Sequence, residues 1–361
     1  MRNRVALTWT TVVVWSAFGC DPFHAGFDDV ERAVAYRAAH VEAAAPRSSL
    51  RVMNYNVKFG GARIDFFFDC FGDRVLMSKR EVLANLEGLA QKINQVDPDL
   101  LVVQEVDVNS KRAAYVDQMQ WLLDHTRLNY GVYASQWKAD YVPSDGLGAV
   151  DSGNGILSKY PLADAERLAL ELRSDQSGLE RYFYLKRNIL RATLLVPGAR
   201  PARIIAIHAE AYAKDGTKLS HIERFKEEMD RAAADGDTVI GIGDLNTLPP
   251  DSDKQYDFPD SVCTNEDFVA DDYRDENEFL VPLYRDYNAE IPLSDYRADN
   301  ARYFSHTVDG RGFWNRKLDY IFTNAEVVTG SGLVHQSQAQ GGMDTMPLSD
   351  HAPVTVELVL P

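Results

Sequence analysis

"VIGIGDLNTLP", residues 239–249, is an apolar run that stops on Asp244 and Asn246, with Pro249 and Pro250 just beyond. Asp, Asn and Pro are common turn formers, so a turn closing a buried strand accounts for the stretch taken alone. In an extended chain, however, Asp244 and Asn246 point to one side and Leu245 to the other. A carboxylate and an amide would then stand together where the strand ends. Other strands decide between the two readings.

Several of them end the same way. "LRVMNYNV" (50–57) has strand character and presents Asn56, and "PDLLVVQEV" (98–106) presents Glu105. The strand at 203–209 delivers His208, "RKLDYIFTN" (316–324) delivers Asp319, and Asp350 and His351 lead into the strand "HAPVTVELVL" (351–360). One polar residue at a strand end is usually a turn or a cap. A lone His there is usually a hydrogen-bonded structural residue. Carboxylates, amides and two His gathered at strand ends form a different inventory. No nucleophile-elbow Ser and no Gly-rich phosphate loop accompany them. The set suits metal-assisted attack of water on a phosphoester better than covalent catalysis.

The intervening segments supply helices. "SKREVLANLEGLAQKINQV" (78–96) is amphipathic, and Ser78 with Glu81 matches a capping box. Residues 111–125 and 217–234 also suit helices, while 128–137, 153–158, 187–196 and 237–243 suit strands. The segment 251–300 is rich in Asp and Glu, poorly periodic, and reads as an acidic, loop-like insertion. Strands outnumber interspersed helices and no internal repeat is visible. One α/β domain with two stacked sheets covered by helices follows, with a doubly wound sheet as the alternative.

The chain has 361 residues, 45% hydrophobic and 25% charged, enough for a large core. Its net charge of −16 argues against a broad basic face that binds nucleic acid irrespective of sequence. A phosphate substrate is still compatible if a divalent cation supplies positive charge locally, which predicts metal dependence.

Arg2 and Arg4 precede an apolar stretch from Val5 to Phe18, then Gly19 and Cys20. That is a signal-peptide pattern, shorter than the roughly 20 residues of a spanning helix. "SAFGC" resembles a bacterial lipoprotein signal, with Cys20 as the lipidation site. It departs from that pattern at Ala17, where Leu is usual. An ordinary secretory signal and an uncleaved anchor are the alternatives, and all three place the domain outside the cytoplasm. Residues 1–20 are thus expected to be a signal, 21–48 a linker or short helix over 28–44, and 49–361 the functional domain. Cys70 and Cys263 would remain as a candidate disulfide in an oxidising compartment, or as two unrelated thiols.

The ordered elements N, QE, IH, GDLN, LDYIF and SDH resemble the endonuclease/exonuclease/phosphatase superfamily, the fold of DNase I, exonuclease III-type repair nucleases, inositol polyphosphate 5-phosphatases and bacterial neutral sphingomyelinases. "GNGILSKYPL" (153–162) is similar to a strand common in that family. The likeness runs from about Leu50 to the C-terminus. It implies a four-layer α/β sandwich, two packed mainly antiparallel β-sheets flanked by helices, with the site at one edge.

The resemblance also implies roles. Glu105 matches the principal metal ligand, with the Asn56 amide beside it as a second metal residue and Asp350 as a further acidic residue near the metal; Mg²⁺ or Mn²⁺ is the expected cofactor. Asp244 matches the residue that orients or deprotonates the attacking water, and Asn246 the one that holds it or a phosphate oxygen. Asp319 and His351 match a carboxylate–imidazole pair, His208 an imidazole that contacts the phosphate or assists the leaving oxygen, and Arg187 a phosphate-contacting guanidinium, with a surface charge at a strand start as the alternative. Lys58 is a departure, because repair nucleases carry an Asp there that helps hold metal. "DSDKQYDFPD" (251–260) offers side-chain oxygens for a structural Ca²⁺ but lacks the EF-hand spacing. "DFFFDCF" (65–71) reads as core or a disulfide-pinned loop, or as an aromatic loop dipping into a membrane.

The expectation is a metal-dependent phosphodiesterase or phosphatase acting outside the cytoplasm. Nucleic acid, a phospholipid head group and a small phosphate ester remain open as substrates. A membrane lipid anchor is expected, and no protein partner is evident. The alternative is a surface lipoprotein that keeps the fold as a catalytically silent binding module.

Overall fold

A computed structural model of the chain describes residues 26–69, 72–258, 272–310 and 312–360. The signal segment with Cys20, and Cys70 and Cys263, lie outside the described residues. No helix among those residues is long and apolar enough to cross a membrane.

In chain order the strands are β1 Val30–Arg32, β2 Val34–Arg37, β3 Ser49–Asn56, β4 Leu100–Asp107, β5 Tyr130–Val142, β6 Gly148–Ser158, β7 Leu162–Ala169, β8 Asn188–Leu194, β9 Ala202–His208, β10 Thr238–Asp244, β11 Asn288–Ala289, β12 Asp319–Thr323, β13 Leu333–Val334 and β14 Val354–Val359. The helices are α1 Lys79–Val96, α2 Gln118–His125, α3 Gly178–Phe183, α4 Thr217–Ala234, α5 Val281–Asp286 and α6 Leu293–Ala298. Two seven-stranded sheets form, ordered β13-β14-β3-β4-β6-β5-β2 and β1-β7-β8-β9-β10-β12-β11. Each holds one parallel pair, β3/β4 and β9/β10, among antiparallel ones. The expected sandwich of mainly antiparallel sheets flanked by helices is therefore what forms.

Side-chain alternation explains the layering. Leu50 and Val52 of β3, Ile204 and Ala206 of β9, and Ile240 and Ile242 of β10 fill the core between the sheets. The intervening Met53 and Tyr55 pack outward with Leu86, Leu89 and Ile93 of α1. On the other sheet, Ile205, Ile207 and Val239 pack with Phe225 and Met229 of α4. Strands buried on both faces read as continuous apolar runs. Ser78 caps α1 as expected, accepting from the Glu81 amide at 3.3 Å while Glu81 accepts from the Ser78 amide at 2.7 Å.

Three expectations about local structure need correction. Residues 28–44 are not helical: β1 joins the edge of one sheet, pairing with β7, and β2 joins the other, pairing with β5. Strands this short are invisible to a periodicity reading, and an Ala-rich composition suggests helix. The buried Arg167 braces this segment. Its Nε donates to Ser135 O at 2.9 Å, and its guanidinium lies 3.9 Å above the Phe27 ring. The second correction concerns residues 111–125, which hold a 3₁₀ turn over Lys111–Ala113 and then the separate α2, capped by Asp117. The third is the acidic segment 251–300, which contains α5, β11 and α6; helices of six residues are too short to display a stripe. Within it Asp251 pairs with Arg297, and Asp272 with Arg274.

Candidate active site

The inward-facing rows of several strands turn polar at one edge of the sandwich. Continuing Leu50 and Val52 along β3 gives Asn54 and Asn56; continuing Ile204 and Ala206 gives His208; continuing Ile240 and Ile242 gives Asp244. Asp244 stands opposite His208 in the β9–β10 ladder and opposite Asp319 in the β10–β12 ladder, so three site residues occupy one register row. Gly243 permits this. Its φ is 156°, and a Cβ there would lie 1.9 Å from Ile207 O.

Glu105 arrives by a different device. Alternation along β4 would send it outward, because Gln104 already faces the intersheet space. The β4–β6 register shifts between Val103 and Val106, and Glu105 adopts a φ of 57°. The bulge re-aims the side chain, so consecutive residues serve the site. Positive φ values recur at Lys58 (44°), Phe59 (45°) and Asn246 (49°), which clusters backbone strain at this edge.

Asn56 joins the two sheets: its Nδ2 donates to Glu105 Oε1 at 3.2 Å and to Asp244 Oδ2 at 3.1 Å. Its Oδ1 accepts from the Lys58 backbone at 3.1 Å. Asn56 thus sits beside Glu105 as expected but brackets two carboxylates rather than presenting a free oxygen to an ion. His208 Nε2 lies 3.4 Å from Asp244 Oδ2 and 4.0 Å from Glu105 Oε1. His351 Nε2 lies 3.6 Å from the same Asp244 oxygen, while its Nδ1 donates to Asp319 Oδ2 at 2.8 Å. One carboxylate oxygen therefore faces an amide and two imidazoles.

Asn246 does not continue the strand. β10 ends at Asp244, and the left-handed turn at Asn246 brings its backbone N–H onto Asp244 Oδ1 at 3.0 Å and its Nδ2 onto Ala209 O at 3.1 Å. Leu245 is fully buried. The turn, not alternation, places Asn246, and its backbone N–H steadies Asp244.

Sequence reading passed over the residues behind this set. Gln104 donates to Asn54 at 2.8 Å, Asn54 donates to Asp319 Oδ1 at 3.1 Å, and Ser305 Oγ donates to Asp319 Oδ2 at 2.7 Å. These bonds offset the cost of burying Asp319. The "NYN" spacing, two amides on one face of a strand, is the signal that could have found Asn54. His306 packs its ring 4.4 Å from that of His351, and no sequence signal marks it.

The electrostatics differentiate the groups. Burial and the Asp319 charge raise the Asp244 carboxyl to about 7, against the pull of His351. Burial alone would lower His351, but Asp319 and Asp244 outweigh it and raise the imidazolium to about 10. His208 is lowered well below its usual value by burial and by the Arg187 and His351 charges, so it is a neutral imidazole. Burial and Asp350 raise Glu105. Arg187 is 4% exposed, its Nε is 3.9 Å from Glu210 Oε2, and neither its Nε nor its Nη1 has a hydrogen-bond partner.

These residues fit a divalent cation. The Glu105 side chain keeps 30% exposure at the cleft, and its contacts there are a neutral amide and a neutral imidazole. Two groupings bring donor atoms within 4.8 Å of one another: His306, Asp350 and His351, and Asp244, Asp319 and His351. In the second, His351 Nδ1 is committed to Asp319 and offers no lone pair to an ion. Hard cations prefer oxygen donors and retain water, which favours Glu105, whereas Asp350 has the Lys58 ammonium 3.7 Å away.

The profile of the Endonuclease/Exonuclease/phosphatase family matches residues 53–351. No curated protein matches the chain in sequence. Among solved structures, an endonuclease/exonuclease/phosphatase from Beutenbergia cavernae is similar at 19% identity and a TM-score of 0.54, covering 87% of this chain and 72% of that one. A conserved protein of unknown function from Enterococcus faecalis is similar at 16% identity and a TM-score of 0.55, covering 86% and 100%. The human Nocturnin catalytic domain, solved with a bound sulfate anion, is similar at 14% identity and a TM-score of 0.51, covering 91% and 98%. At these identities the structures share the fold.

Proposed function

Because the chain belongs to the endonuclease/exonuclease/phosphatase family, whose members are metal-dependent phosphoester hydrolases, we propose that it hydrolyses a phosphoester through a water activated at Asp244. The observation that carries this reading is the convergence on Asp244 Oδ2 of Asn56 at 3.1 Å, His208 at 3.4 Å and His351 at 3.6 Å.

A general base works best when it titrates near the operating pH, and Asp244 is raised to about 7. It takes a proton from water as the water oxygen bonds to phosphorus and the bond from phosphorus to the ester oxygen breaks, and that oxygen leaves as an alcohol after taking a proton from solvent. The Asn246 amide on the other carboxylate oxygen fixes the direction of that transfer. His351, kept as an imidazolium by Asp319, donates Nε2–H to a phosphate oxygen as negative charge grows there. His208 Nδ1 faces the Gln136 side-chain amide at 3.4 Å, which leaves Nε2–H to donate to the same phosphate. Arg187 brings unpaired donors to this anion. Glu105 would hold Mg²⁺ or Mn²⁺, which when bound supplies positive charge to the phosphate as it reacts.

The apolar, Arg-flanked segment ending at Cys20 supports action outside the cytoplasm, at a membrane through a lipid anchor or as a secreted protein. The substrate class is set as a phosphate ester: nucleic acid, phospholipid head group or small ester.

The test is hydrolysis of bis(p-nitrophenyl) phosphate with Mg²⁺, with EDTA, and by Asp244→Ala. Turnover that vanishes with EDTA and in the variant supports the reading. A folded protein with no Mg²⁺-dependent turnover on this ester, plasmid DNA, sphingomyelin vesicles or inositol phosphates overturns it. Full activity in Asp244→Ala overturns the assignment of the base.

A further inference from the structure

Lysine is almost never fully buried unless paired, yet Lys58, at the floor of this site, is 7% exposed. It lies two residues beyond Asn56. Successive left-handed residues, Lys58 and Phe59, turn the chain back there, and the Lys58 amide bonds Asn56 Oδ1. The side chain is thereby directed into the acidic cluster. Its Nζ donates to Asp69 Oδ2 at 3.1 Å and lies 3.7 Å from Asp350 Oδ2.

Asp69 is itself held. The same Oδ2 accepts the Phe66 backbone N–H at 2.9 Å, and the Phe66 ring is fully buried, edge-on to Phe59 at 4.9 Å. The aromatic segment from Phe66 to Phe68 therefore serves as an anchored loop that carries Asp69, and through Asp69 it positions the ammonium. Glu105 differs in degree: its carboxylate accepts from a neutral amide, its side chain is 30% exposed, and the Lys58 charge acts on it more weakly than on Asp350 and Asp69.

We propose that Lys58 is a resident cation that neutralises Asp350 and Asp69 and holds this centre to a single divalent ion, at Glu105. The inference rests on the metal-dependent reading above and adds to it a stoichiometry and a residue that sets it. Two-ion phosphoester centres place their ions about 4 Å apart. An ammonium on Asp350 occupies that charge and space, and repels a second cation from it. Lys58 is thus a positioning residue: it acts through Asp350 and leaves the bond-making groups to the opposite sheet.

The experiment is Mn²⁺ binding to the full chain by calorimetry and electron paramagnetic resonance, with melting curves to establish folding. Wild type should bind one Mn²⁺ per chain and show an uncoupled signal. Lys58→Met should bind two, with the spin coupling of paired ions, and Lys58→Arg should stay at one. Lys58→Gln, whose amide can still bond Asp69, is the second neutral variant. Asp350→Asn in the Lys58→Met background should remove the second ion. Two coupled ions in wild type, or one ion in a folded Lys58→Met or Lys58→Gln protein, overturns the proposal and leaves the hydrolase reading standing. Wild type that binds no Mn²⁺ overturns both.

Discussion

His351 and Asp319 stand on opposite sheets and are joined by one hydrogen bond of 2.8 Å. The pair is a chemical device and a clamp across the sandwich edge. Replacing Asp319 by Asn removes the charge that sustains the imidazolium but keeps the volume. We expect turnover to fall by about 100-fold or more, in the range of general acid–base effects. The alkaline limb of the pH–rate profile should move to lower pH, because His351 would lose its proton earlier. An unchanged alkaline limb would refute the role given to this pair.

Arg187 sets function against stability. It is buried with two nitrogens unpartnered, an arrangement that costs free energy until an anion arrives. Glu210 keeps Tyr184 Oη, which donates at 3.1 Å, if the guanidinium is removed. Arg187→Met should therefore melt no lower than wild type, while kcat/KM falls by about 10- to 100-fold, the worth of hydrogen bonds to a charged group. A lower melting temperature with unaltered kcat/KM would make Arg187 structural.

The metal-free protein should lose stability as pH rises. The Asp244 carboxyl keeps its proton to about pH 7 when folded but releases it near 3.8 when unfolded. The folded state thus binds more protons in that window, and its stability declines through it. His351 governs the next window. Its contribution is complete below 6.5 and is lost as pH rises through about 10. Asp244→Asn should flatten the first decline and His351→Gln the second, read from melting temperatures in EDTA. Mg²⁺ at 100 times its Kd at pH 8.5 should restore about 2.7 kcal/mol there, and the same Mg²⁺ concentration should restore less at pH 6, because protonated carboxyls do not bind cations.

Arg167 offers a structural control outside the set of site side chains. It donates to Ser135 O and to Lys186 O, at 2.9 and 3.0 Å, beneath the N-terminal strands. Arg167→Met removes the donor to Lys186 O while Ser135 O keeps its bond from Asn188 Nδ2, and should cost about 2 kcal/mol. Activity per folded molecule at low temperature should be unchanged. A stability equal to wild type would show that β1 and β2 dock without this brace.

Much of the site was legible because it obeys alternation. Asn56, His208 and Asp244 continue apolar inward rows, so a strand ending on a polar residue marks each of them. Asn246 was legible as a residue but not as a geometry, since the strand stops two positions earlier. Asp69 and Ser305 left no mark: each matters only through a partner distant in the chain, Lys58 in one case and Asp319 in the other. The edge strands β1 and β2 were missed because three or four residues cannot express a period.

The sequence by itself determined the layers, because runs apolar on both faces must be covered on both, and it determined which strands end in chemistry. Only the tertiary structure decided how those ends meet. The β4 bulge turned Glu105 inward against its own alternation, and the packing of one sheet on the other brought Asn56 to Asp244 and His351 to Asp319. Register and bulge geometry depend on contacts between residues tens to hundreds of positions apart, and local pattern carries no record of them. The same holds for Lys58. In sequence it is a lysine where repair nucleases carry an Asp; in the fold it is a charge 3.7 Å from Asp350.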